Sequence, residues 1–294
     1  PALVDDVIMG CVMQVGGQAL NVGRNAVLAA GFPESVPATT IDRQCGSSQQ
    51  SAHFAAQGVM AGAYDIAIAA GVEVMSLVPM GASVGDIKRT GFPFGDQVGL
   101  RYADQGGLVP QGISAEMIAD QWDISREELD AFGAESQRRA AQAQAEGRFD
   151  NEIVPCATTM AEKNKDTGEV TYREVVATMD NCNRPSTTLE GLAKLEPVKG
   201  AGKFVTAGNA SQLSDGSAAC VMMEAKEAER RGLQPLHDRV GARHVLGIEV
   251  GRVVAAAAVV GRARQFGLDV IELRPALVPL TFDAASWAPF SELS

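Results

Sequence analysis

The residue best placed to do covalent chemistry in this sequence is Cys45, within Asp42-Arg43-Gln44-Cys45-Gly46-Ser47-Ser48-Gln49. The β-branched stretch Ala38-Thr39-Thr40-Ile41 precedes it and a small-residue run with helical spacing follows, so the thiol sits where a strand turns sharply into a helix. Unpaired backbone N–H groups and the dipole at a helix N-terminus favour an anion. They therefore favour a thiolate and can also hold an oxyanion. Gly46 allows a substrate to approach closely, and Ser47 or Ser48 can cap the helix. The competing reading is a small buried hydrophobe, the usual fate of a cysteine outside a disulfide. Cys11, Cys156, Cys182 and Cys220 lack a comparable turn, and Cys11 and Cys220 read as core.

Two weaker features follow. From Thr206 to Gly216, closely spaced small residues let a ligand lie against the backbone, with Asn209 and Ser211 as donors; the plain alternative is a tight loop packing a strand end. Arg184, Lys194, Lys199 and Lys203 gather four positive charges against Glu190 and Glu196, a place for phosphates in an acidic chain or simply a solvated face. His53, His237 and His244 are the only histidines, and none is spaced to signal a Cys-His pair; His53 reads as a packed helix residue. Nucleotide-binding glycine loops, a zinc-protease helix and a serine-hydrolase elbow are all absent from the sequence.

The elements that position these residues can be read from periodicity and punctuation. Val7 to Met13 is a short apolar run, followed by a small-residue helix pattern closed by Gly31 and Pro33. Ala38–Ile41, the turn at 42–46, a helix from Ser47 to Gly62 and a buried strand from Asp65 to Val74 make a βαβ unit. From Ser76 to about Ser186 the texture becomes polar and loop-rich, like an insertion with helices of its own. Ser125-Arg-Glu-Glu128 is a capping box ahead of a helix ending at Gly147, and Thr187-Thr-Leu-Glu190 is a second box before a short helix. Core texture returns at Phe204, with a buried strand at Ser217–Met223 and a charged helix after it. Residues 237–294 contain six Arg and no Lys, a change of character near Leu236.

Composition bounds the rest. The 294 residues are 46% hydrophobic and 21% charged, the profile of a globular chain with ample apolar area for a core. A net charge of −11 opposes nucleic acid and anionic membranes, so an anionic ligand needs a local basic patch. Five widely spaced cysteines form neither a disulfide framework nor a zinc site, which predicts a reducing, cytoplasmic setting and no metal. The apolar stretch Val253 to Val260 is too short to span a bilayer, and no membrane segment is expected. The chain begins without Met and runs at once into a strand, as if cut from something longer.

At the level of motifs the sequence resembles the thiolase family, the acetyl-CoA acyltransferases. The resemblance rests on Gly10-x-Val12-x-Gln14 through Asn21-x-x-Arg24, on Val36 to Gln50 around Cys45, and on Ala70-Gly-Val-Glu-Val-Met-Ser76. Further matches are Ile124–Glu128 to Ser136-Gln137, Gly147-Arg-Phe149, Thr187 to Leu195, and Thr206-Ala-Gly-Asn-Ala-Ser211. The resemblance implies an α/β fold, a layered βαβ core with an inserted coenzyme-A-binding loop domain. It assigns residues 1–236 to an N-terminal domain, with the insertion at about 76–186. Residues 237–294 become a divergent remnant of an incomplete second half.

The same resemblance implies that Cys45 takes the acyl group as a thioester. It places Arg184 at the adenine-nucleotide end of coenzyme A, and Ala207, Ala210 and Ser211 along the pantetheine arm. Coenzyme A and acyl-CoA are then substrates, with no permanently bound cofactor, and a homodimer or homotetramer is the expected assembly. Pro110-Gln111-Gly112 stands where the biosynthetic branch has His-Met-Gly, which favours a degradative enzyme of longer or bulkier acyl-CoAs, in fatty-acid or steroid β-oxidation. The family's Asn-Glu-Ala-Phe, Gly-His-Pro and Cys-x-Gly-Gly-Gly segments do not occur in the sequence; Leu273-Arg-Pro-Ala follows the faintly similar Asp269-Val-Ile-Glu272. An Arg- and Ala-rich tail without Lys is what an out-of-frame GC-rich gene gives. The expectation is therefore weak or absent turnover, with a non-catalytic acyl-CoA-binding or oligomerisation remnant as the alternative. A ketosynthase or hydroxymethylglutaryl-CoA synthase relative fits the Thr206 to Ser211 stretch poorly.

Overall fold

A computed structural model describes residues 1–235, apart from Glu152, Asn181 and Lys199 to Ala201, together with the backbone of 253–256. Lys199, His237, His244, the stretch at 269–276 and most of the expected 237–294 remnant lie outside the described residues. The expectation of an α/β fold holds.

The chain divides into two compact units. The first holds Pro1–Gly107 and the chain again from Leu213, and the second holds Leu108–Gln212. In the first, β1 (Asp6–Gly10) leads through α1 (Val22–Ala29) to β2 (Ala38–Ile41), and α2 (Ser47–Met60) carries the chain to β3 (Ile66–Glu73). Both crossovers join parallel strands: Val7 pairs with Ala38 on one side of β1 and with Ile68 on the other. Two short helices, α3 (Ile87–Thr90) and α4 (Asp96–Tyr102), follow in the same unit.

In the second unit α5 (Gln111–Gln121) and α6 (Arg126–Ala145) precede a hairpin of β4 (Cys156–Lys163) and β5 (Val170–Ala177), then the single turn α7 (Leu189–Leu192). Back in the first unit, β6 (Gly216–Glu224) runs antiparallel to β3, α8 (Ala225–Arg230) follows, and β7 (Val253–Ala256) pairs with β6. The described sheet has the order β2-β1-β3-β6-β7.

Alternation along buried strands builds the core of the first unit. Ile8, Ala67, Ala69 and Met222 face α2, meeting Ala55, Ala56 and Val59. Val7, Met9, Ile68 and Ala70 point the other way and gather with Val27 of α1 and with Val36. Ala55 and Ala67 are fully buried, and such small side chains let the helix lie close on the sheet. The sheet is thus covered by α1 on one face and α2 on the other, a doubly wound arrangement.

Several boundaries differ from the periodicity. β1 stops at Gly10 because Glu73 captures the N–H groups of Val12 and Met13, at 2.9 and 3.2 Å, and turns the chain out of the sheet. The second expected capping box does not form, and a one-way cap stands one residue on. Thr188, not Thr187, caps α7 by accepting from Gly191 N–H, while the Thr187 hydroxyl donates to the Arg184 carbonyl at 2.7 Å. The Ser125–Glu128 box on α6 is complete in both directions. Among the described residues, no helix is long and apolar enough to cross a membrane.

Candidate active site

Cys45 is exposed, two residues before the first residue of α2. The turn that presents it is tightly held. Asp42 accepts from Gln44 N–H at 2.7 Å and from the Gln44 amide at 3.3 Å, an Asx turn that helps keep Gln44 at φ +47°. A left-handed conformation at a residue with a Cβ costs about 1–2 kcal/mol, strain of the kind that accumulates at functional turns.

Ser47 was expected as a candidate cap, and the structure gives it another task. Gly46 is the N-cap and makes no side-chain cap bond. The buried Ser47 hydroxyl instead accepts from Arg43 N–H at 2.9 Å and donates to the Gln44 carbonyl at 2.6 Å, lacing the loop to itself. Arg43 also reaches Gln50, one turn into α2.

Beneath the turn two glycines make a saddle. Gly10 and Gly71 are register partners on β1 and β3, and the first turn of α2 rests on both. A Cβ on Gly10 would meet Ser48 N at 2.5 Å, and one on Gly71 would meet Ser48 Oγ at 1.8 Å. The helix start therefore sits at the C-terminal ends of parallel strands, where open α/β sheets place their ligands.

The nearby Cys11 has the opposite character. It is 1% exposed, and burial, together with the negative charges of Glu73 and Asp42, pushes its thiol up to about 11. Cys220 is half-buried on β6, and burial pushes its thiol up as well. Both fit the core reading, and Cys45 is the exposed member of the five. His53 lies half-buried on α2.

The other candidate residues belong to the second unit. Arg184 is exposed at its side chain, while its N–H donates to Gln137 Oε1 of α6 at 2.7 Å. The neighbouring Asn183 amide donates to the same Gln137 at both its carbonyl and Oε1, each at 2.9 Å. Ala207 is exposed, Ala210 half-buried, and Ser211 exposed with its hydroxyl 3.4 Å from the Gln212 carbonyl. Of the basic stretch, Lys194 is exposed and Lys203 pairs with Asp120 at 3.2 Å.

Asn209 was expected to donate to a ligand, and its amide is committed internally. Nδ2 donates to Asp130 at 3.1 Å and to the Phe204 carbonyl at 2.9 Å, and Oδ1 accepts from Thr206 N–H at 2.8 Å. Sequence reading overlooked Glu116 and Asp130, carboxylates that are 5% and 3% exposed and hold this turn.

A family model, the thiolase N-terminal domain, matches residues 1–226. The chain belongs to the thiolase family. It is 40% identical over 233 residues to a 3-ketoacyl-CoA thiolase of Bacillus subtilis, covering 79% of this chain and 57% of that thiolase. It is also 40% identical over 239 residues to a steroid 3-ketoacyl-CoA thiolase of Mycobacterium tuberculosis, covering 80% and 54%. Among solved structures, an acetyl-CoA acetyltransferase of Bacillus anthracis superposes with a TM-score of 0.61 at 35% identity, over 80% of this chain and 57% of that one. This thiolase chain thus spans a little over half the length of these relatives.

Proposed function

We propose that this chain carries the acyl-accepting part of a thiolase, with Cys45 as the nucleophile. The observation that supports it is the exposed Cys45 thiol, held at the start of α2 above the Gly10–Gly71 saddle by Asp42 and Ser47.

The Cys45 thiolate adds to the carbonyl carbon of an acyl-CoA thioester; the carbon–sulfur bond to coenzyme A breaks, and coenzyme A leaves as a thiol after taking a proton. With a 3-ketoacyl-CoA, attack falls on the 3-keto carbon and the C2–C3 bond breaks. Acetyl-CoA is released once its α-carbon is protonated. The Cys45 N–H supplies part of the oxyanion hole in either case. Coenzyme A thiol, or the acetyl-CoA carbanion, then takes the acyl group.

Arg184 is the proposed contact for the nucleotide end of coenzyme A, with Ala207, Ala210 and Ser211 along its pantetheine arm. Coenzyme A serves as substrate rather than as a resident cofactor. The proposed direction is degradation of longer or steroid-derived acyl chains, in keeping with relatives named for 3-ketoacyl-CoA and steroid 3-ketoacyl-CoA. On the same footing, residues 1–236 form the N-terminal domain with its insertion at about 76–186, and 237–294 a divergent remnant. The protein is cytoplasmic and forms a homodimer or homotetramer. β2 is the last strand of the described sheet on that side, and with Asn21 already donating to its Ala38 carbonyl at 2.9 Å a second copy would meet the rest of that edge.

A second reading has its own observation: the segments that activate the nucleophile and handle the substrate α-proton in this family do not occur in the 294 residues. These 294 residues by themselves would then bind acyl-CoA without turning it over. Intact mass after incubation with acetyl-CoA and with a longer acyl-CoA, beside Cys45→Ser, decides between them. An acyl adduct on the unsubstituted chain alone supports acylation at Cys45. Coenzyme-A binding without an adduct supports the binding-only reading.

A further inference from the structure

We propose that Glu116 is a positioning residue that sets the shape of the Thr206 to Ser211 turn and, through it, the affinity for coenzyme A; this rests on the reading of that turn as a coenzyme-A contact. Glu116 projects from α5 and is 5% exposed. Its Oε1 accepts from Phe204 N–H at 2.8 Å and Val205 N–H at 2.7 Å, and its Oε2 from Lys203 N–H at 3.0 Å. A buried carboxylate needs donors for its oxygens, and three successive backbone N–H groups supply them. Three consecutive N–H groups converge on one carboxylate only if the chain curls around it. Glu116 therefore fixes the direction in which the backbone enters Thr206.

A second carboxylate holds the far side of the turn. Asp130 of α6, 3% exposed, accepts from Arg126 Nε at 2.7 Å and from Asn209 Nδ2 at 3.1 Å. Asn209 closes the turn by accepting from Thr206 N–H, and the Thr206 carbonyl accepts from the N–H groups of Asn209 and Ala210 at 3.2 and 3.0 Å. The polar groups that shape the turn are thus consumed inside it, which leaves Ala207 presented at its exposed crest. Neither carboxylate needs to touch coenzyme A. Each acts through the backbone.

The test compares the full chain with Glu116→Gln and Asn209→Ala by calorimetric titration with coenzyme A. Protection of the buried Cys11 from iodoacetamide, read by mass on the same samples, reports on the folding of the first unit. Glutamine can serve two of the three donors but sets its own NH2 against the third. Affinity for coenzyme A is expected to fall about tenfold in each variant, the equivalent of one lost buried hydrogen bond, with Cys11 still protected. A folded Glu116→Gln chain that binds coenzyme A as tightly as the unsubstituted one overturns the proposal. Hydrogen exchange on the unsubstituted chain needs no variant to fold: the amides of Lys203 to Val205 must be protected, and exchange at exposed-loop rates also overturns it. An unsubstituted chain that binds no coenzyme A sinks the acyl-transfer reading and this inference together; unchanged affinity in the variant sinks this inference alone.

Discussion

Two cysteines that lie close to one another in the fold are set apart by their surroundings. Cys45 is exposed at a helix start, whereas Cys11 is buried beside Glu73 and Asp42 and its thiol is raised to about 11. Iodoacetamide at about pH 8 should therefore label Cys45 and spare Cys11, because the thiolate is the reactive form. Peptide mapping after brief labelling checks this, and early modification at Cys11 would contradict the burial. Cys45→Ser should abolish the acyl adduct without shifting the thermal transition. Ser47→Ala removes two hydrogen bonds from a buried site and should cost about 1–3 kcal/mol in urea unfolding, with slower acylation of Cys45. Cys45 itself was legible in the sequence, since a thiol between a β-branched run and a helix pattern is a local signal. The task of Ser47 was not, because a serine at a helix start can cap the helix or lace the preceding turn, and the choice depends on where Arg43 N–H and the Gln44 carbonyl fall.

Among the elements, α2 begins just after the Cys45 turn, and its seat is the pair of glycines beneath its first turn. Gly71→Ala should destabilise by about 1–3 kcal/mol, an overpacking cost, and Ser48→Gly in the same chain should recover most of it, since the clash is with the Ser48 side chain. Gly10→Ala meets the backbone of Ser47 and Ser48, so Ser48→Gly should not recover it. Denaturation of the two double variants reads this difference directly. Strand, helix, strand order up to β3 was readable because each element carries its own period and punctuation. The β4–β5 hairpin and α5 went unread. Of the β5 residues Val170–Ala177, only Val175 is even half-buried, so that strand has no apolar alternation to reveal it. Helix α5 is extended at its buried positions by Gly112 and Glu116, which break an apolar stripe.

At the scale of the whole chain, the long excursion between β3 and β6 is tied off by one polar pair. Asp215 accepts from Ser76 N–H at 2.8 Å and from the Ser76 hydroxyl at 2.6 Å, across 139 residues of sequence. The Ser76 hydroxyl, and then its N–H, hold the Asp215 carboxyl below its ordinary 3.8. A group depressed in the folded state contributes stability above its ordinary value, and that contribution is lost as pH falls through the lower folded value. Acid unfolding followed from pH 5 downward should thus be less steep in Asp215→Asn than in the unsubstituted chain, and identical profiles would remove this tie from the account. The sequence by itself determined the family, the α/β class, the place of Cys45 and the acidic balance of −11, because motif, period and charge are local or additive properties. Only the tertiary structure decided that Glu116 grips Lys203 to Val205, that Asn209 turns inward to Asp130, and that Gly10 and Gly71 form one saddle. Those pairings join residues 61 to 89 positions apart, and no spacing rule connects them. They exist because a buried carboxylate must find donors and a helix start must find room, wherever the folded chain supplies them.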